Sequence, residues 1–150
     1  LSVAIESILK YVHDSRYELS QRDKDWIEKA KSYFASWGGP SGLGERITGL
    51  FSMLYAPSAS MRLGELVELQ AITNQQKRAW SRLRHRLAHG ETLGSRSLQG
   101  FLDLVNTVLV LFYHLVFYAI GYRGKYTDYS LPDWPTKEYS APTRNVSGSD

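Results

Sequence analysis

Residues 98–120, LQGFLDLVNTVLVLFYHLVFYAI, are the most apolar stretch of the chain. The stretch is long enough to span a bilayer, for which about 20 apolar residues suffice. It must therefore be buried either in lipid or in protein. Asp103, Asn106, Thr107 and His114 interrupt it, and its flanks are only weakly basic. An Asp at the centre of a span costs about 2.5 kcal/mol or more. The expectation is the central helix of a bundle, buried nearly all round, with no membrane as partner.

The segments before it share the helical period. Val3, Ile5, Ile8, Leu9 and Val12 recur at three- and four-residue spacings over residues 1–14. Ser20 followed by Asp23 is an N-cap signature. The stripe behind it, Trp26, Ile27, Ala30, Tyr33, Phe34 and Trp37, is expected in the core, and Gly38, Gly39 and Pro40 stop that helix. A third helix, from Leu43 to Tyr55, turns Ile47, Leu50, Phe51 and Leu54 inward, and a fourth runs from about Met61 to Ala71. Thr73 and Gln76 have the spacing of a capping box. Either a fifth helix begins there, or one helix continues from 61 to 88; Gly90 ends it.

After Gly121 the pattern changes. GYRGKYTDYSLPDWPTKEYSAPT is rich in Tyr, Gly and Pro and has no helical period or β-pattern. It reads as an irregular extension pinned by Tyr122, Tyr126, Tyr129 and Trp134, with the final RNVSGSD loose. The fold class expected is an all-α bundle of about four to six helices with an irregular Tyr-rich C-terminal extension. Its domain covers residues 1–135, and residues 136–150 form a loose tail. At 150 residues the chain has the size of one ordinary domain. It opens on Leu, so it is expected to be excised from a longer protein. The absence of cysteine rules out disulfides and thiolate metal sites. With no signal-peptide pattern at the start, the expected location is the cytoplasm.

The net charge of +3 is unevenly spread. Between Glu68 and Glu91 there is no acid, yet Lys77, Arg78, Arg82, Arg84 and Arg86 all fall there. That block carries +5, which leaves −2 for the rest of the chain. A concentrated basic patch on a balanced surface points to a polyanionic partner.

The block culminates in RLRHRLAHGE, residues 82–91. His85 and His89 are four apart and share a helical face with Arg78 and Arg82. Arg84 and His89 are five apart, which on a straight helix separates them by about 140°. They serve one site only if the helix breaks or a second chain contributes. Histidines and arginines on a last helical turn can simply interact with the helix dipole. His-x-x-x-His is also a zinc spacing, but Arg86 stands where the metalloprotease pattern has Glu, and the cations disfavour a divalent ion. Phosphodiester chemistry without metal uses every unusual residue: an imidazole moves protons, a guanidinium neutralises the phosphate, and the flanking cations recruit the polyanion.

LRHRLAHGE resembles the signature of HEPN domains, a superfamily of small helical bundles. Arg84 matches its arginine, His85 its polar position and His89 its histidine, framed by Leu83, Ala88 and Gly90. The tail GYRGKYTDYSLPDWP is similar to the end of the ApeA-like HEPN branch, which is associated with bacterial anti-phage defence. The likeness spans roughly residues 60 to 135. It implies a metal-independent endoribonuclease with no cofactor. Arg84 and His89 would be its catalytic pair and His85 an accessory donor or positioner. It also implies a homodimer whose two motifs meet across the interface, and a larger protein in which another part senses a trigger. Lys77, Arg78, Arg82 and Arg86 are the candidate contacts to the RNA backbone.

Overall fold

A computed structural model describes residues 2–12, 18–89 and 98–143. The expectations for Gly90 and the final RNVSGSD lie outside the described residues. The elements are α1 (Ser2–Val12), α2 (Gln21–Ala35), α3 (Ser41–Phe51) followed by a 3₁₀ turn (Ser52–Tyr55), α4 (Ala59–Glu68), α5 (Asn74–His89), α6 (Leu98–Ile120), and strands β1 (Arg123–Thr127) and β2 (Thr136–Ser140). They form two compact units, one of α1 with α4 onward, the other of α2, α3 and the 3₁₀ turn.

In the first unit α5 packs along α6, α4 packs on α5, and α1 lies against all three. The core joins Ile5 and Leu9 of α1, Leu63 and Leu66 of α4, Trp80 and Leu83 of α5, and Val108, Leu111 and Leu115 of α6. α4 and α5 are separate helices. Gln70, at φ 59°, is the left-handed residue of a Schellman cap. Its own N–H donates to Val67 and the N–H of Ala71 donates to Leu66. Thr73 and Gln76 then close the capping box reciprocally, at 2.8 and 3.2 Å.

α6 is central but not enclosed. Thr107, Val108, Val110, Leu111, His114, Leu115 and Tyr118 are buried, whereas Leu98, Leu102 and Ile120 are exposed. Only a third of its most apolar window is covered, and by length and composition the helix suffices to cross a membrane. The expectation of burial nearly all round is thus corrected: among the described residues the middle of α6 is buried on one face and half-buried on the other, and its two ends are exposed.

The helical bundle and its C-terminal extension are present as expected, but part of the extension is regular. β1 and β2 pair antiparallel, with Arg123 opposite Ser140 and Thr127 opposite Thr136. Residues 136–141 therefore belong to the folded unit. Tyr139 is their anchor, because its buried hydroxyl donates to the carbonyls of Ala71 and His114 at 3.1 and 3.3 Å. Burial pushes its hydroxyl up to about 12. Tyr126 packs edge-on against His114, 5.0 Å between ring centres.

In the second unit, Ser20 caps α2 as its spacing predicts, its Oγ accepting from the N–H of Asp23 at 3.1 Å. The apolar stripe, however, is not a core. Ile27 alone is buried along α2. Trp26 is 59% exposed, and Tyr33, Trp37, Leu50 and Leu54 are exposed too. Phe34 and Phe51 join α2 to α3, 5.8 Å apart. Two short helices have too little facing surface to enclose so many large side chains.

Candidate functional site

Helix α5 has an inner and an outer face, set by its 3.6-residue period. The inner side buries Gln76, Ala79, Trp80 and Leu83. Trp80, which lies within the basic run but is expected from the sequence to pack in the bundle rather than stack a base, is only 2% exposed and belongs to the core.

The outer side carries Arg78, Arg82, His85 and Arg86, and it borders two adjoining recesses. The larger, about 950 Å³, lies between α5, the first half of α6 and the turn joining β1 to β2. Arg78 and Arg82 line it, with Asp103 and Asn106 from α6 and Tyr129 and Trp134 from the turn. The smaller, about 410 Å³, is lined by Arg82, His85 and Arg86 with Gly100 and Leu104. Arg82, Gly100 and Leu104 border both, so the recesses form one strip along α5.

Arg84 is not on this strip. Its Nε donates to Glu6 Oε1 of α1 at 2.8 Å, and its guanidinium sits 5.7 Å from the centre of the Trp80 ring. Lys77 is diverted too: its ammonium lies against Gly64 of α4, 3.0 Å from where a side chain there would begin. It lines neither recess. His89 is the last residue of α5, and its side chain lies outside the described residues. The strip thus unites Arg78, Arg82, His85 and Arg86, and within one chain it excludes Arg84 and Lys77. Among the described residues no group of three or more His, Asp or Glu side chains is placed to hold a metal ion.

A buried polar pair joins α5 to α6. The Oε1 of Gln76 is used by the helix cap, so its Nε2 donates to Nδ1 of His114 at 3.1 Å. The ring proton then sits on Nε2, which has no partner among the described residues. Burial lowers His114 to about 4; Asp128 acts in the opposite sense and Lys137 in the same. This imidazole is neutral and structural.

Sequence reasoning missed the lining supplied by the turn. Asp133 and Trp134 adopt φ of 60° and 48°, and Trp134 is 60% exposed. A Trp between Asp133 and Pro135, within a run dense in turn residues, was the available signal. Asp103 was seen only as an interruption of an apolar helix, yet it lines the larger recess and accepts from Gln99 at 2.8 Å. Against family models, curated proteins and solved structures the chain has no match.

Proposed function

We propose that the chain is a HEPN-type, metal-independent endoribonuclease that acts as a homodimer, the effector part of a defence or toxin-like protein. The observation that carries this reading is the strip on α5. Three guanidiniums and an imidazole border two joined recesses, which suits a phosphate chain. The motif LRHRLAHGE supplies the rest. In this reading His89 takes the 2′-hydroxyl proton, the 2′-oxygen attacks phosphorus, and the bond to the 5′-oxygen breaks. His85 is the accessory donor to the departing oxygen. Arg84 neutralises the charge gained by the phosphate. The products are a 2′,3′-cyclic phosphate and a 5′-hydroxyl.

Arg84 is turned toward Glu6 in the single chain, so the reading requires a second copy to complete the cleft. The Arg84–Glu6 pair is substantially exposed. Such pairs contribute about 0–1 kcal/mol, so transferring Arg84 to a phosphate costs little. Arg78, Arg82 and Arg86 hold the backbone, and Lys77 adds only to the long-range field.

Incubation of the purified chain with total RNA in EDTA tests this reading. The wild type yields cyclic-phosphate ends, while Arg84→Ala and His89→Ala each lose roughly 10²–10⁴ in rate and keep their fold. Cleavage that survives both substitutions, or that a chelator abolishes, rejects it. The engagement of Arg84 by Glu6 favours a second reading, a non-catalytic RNA-binding and dimerisation module. That module binds RNA and leaves it intact.

A further inference from the structure

We infer that the larger recess is a nucleotide subsite in which one unpaired base of single-stranded RNA stacks on Trp134, while Arg78 and Arg82 hold the adjoining phosphates. The inference rests on the RNA reading of α5 and names what the hairpin turn adds to it.

Trp134 is a large aromatic left 60% exposed at the mouth of a recess, on a turn that is firmly braced. The Asp128 carboxylate accepts from the backbone and hydroxyl of Ser130 and from Lys137. The N–H of Asp128 donates to Pro135 at 3.0 Å, and that of Trp134 to Leu131 at 3.3 Å. Two successive non-glycine residues, Asp133 and Trp134, are held at positive φ. That conformation is uncommon for side-chain-bearing residues, and such outliers gather at ligand clamps. Tyr129 supports the indole edge-on at 5.6 Å, and leans in turn on Tyr113 at 6.4 Å. The indole is thereby fixed while much of its surface stays open.

The chemistry around it selects the occupant. Arg78 and Arg82 are exposed and line one wall. Asp103 and Asn106 lie on the opposite wall and offer acceptors and donors to the polar edge of a base. An aromatic platform beside paired cations is the arrangement that binds single strands, since every base has a face to stack. A volume of about 950 Å³ accommodates a nucleotide. A duplex keeps its bases stacked internally and is excluded from this mode. The recess adjoins the one lined by His85, so a base held here orders the strand where it passes the proposed chemistry.

The test is anisotropy of a labelled single-stranded RNA with the full chain, in parallel with the matching duplex and with cleavage assays. Trp134→Ala is expected to weaken single-strand binding roughly 5- to 150-fold, the loss of one stacked base. Trp134→Phe retains most of the affinity, and duplex binding is indifferent to either change. RNA carrying 4-thiouridine crosslinks within residues 129–134 of the wild type. Wild-type binding that Trp134→Ala leaves unchanged, with no crosslink in that turn, overturns the subsite and leaves the ribonuclease reading standing. A wild type that binds no RNA overturns both. If light scattering shows that Trp134→Ala dissolves a dimer while the RNA affinity of the remaining monomer is unchanged, the turn is a protein contact and the subsite is rejected.

Discussion

The two faces of α5 use the same helix for opposite purposes. Inward, Ala79, Trp80 and Leu83 are buried and carry stability. Outward, Arg78, Arg82 and His85 are exposed and border the recesses. Arg84 lies on the flank between them, tied to α1. The lesson is that a run of cations in sequence is not a cluster in space: helical period divides it, and neighbouring helices decide which charges remain available.

The division makes separable predictions. On the inner face, Leu83→Ala deletes a buried side chain in the shared core, and should cost about 2–5 kcal/mol in denaturant unfolding. A loss under 0.5 kcal/mol would mean that this face is not the core face. The next effect is one of pH. His114 has its folded value lowered to about 4 from the ordinary 6.5. The unfolded chain takes up a proton near 6.5 that the native chain refuses. The full stability is therefore present above 6.5 and falls as pH drops toward 4, by about 3 kcal/mol in all. Unfolding measured at pH 7 and pH 4 should show that loss in the wild type, and much less of it in His114→Gln. On the outer face, Arg82→Ala should leave the melting temperature within error. It should weaken RNA binding and lower the slope of log affinity against log salt by about 1. A change in stability with no change in that slope would erase the distinction between the faces.

Much of the fold was legible because helix signals are local. The caps at Ser20 and Thr73, and the period of α6, all lie within a few residues of the structure they set. Burial was less legible. The stripe Trp26, Tyr33, Trp37 has the spacing of a core face and stays exposed, because periodicity shows that a face is apolar and not what covers it. The hairpin escaped notice because its anchor, Tyr139, is held by carbonyls 68 and 25 residues away in sequence. Spacing placed Arg78, Arg82 and His85 on one face of α5 and Arg84 away from His89, whereas the place of Arg86 on the strip was not read from it. The turn that completes the larger recess did not, because the left-handed backbone of Asp133 and Trp134 depends on a loop braced from Asp128 and Lys137.

The central claim is that Arg84 and His89 act together on one phosphate across two chains. Mixing the two inactive variants, Arg84→Ala and His89→Ala, tests it most directly. In a twofold dimer, one of the two clefts of each mixed pair then receives an intact Arg84 from one chain and an intact His89 from the other. The account predicts that the mixture recovers roughly a quarter of the wild-type cleavage rate in EDTA, since half the dimers are mixed and each has one whole site. A mixture as inactive as either variant alone, from a wild type that cleaves, would contradict it.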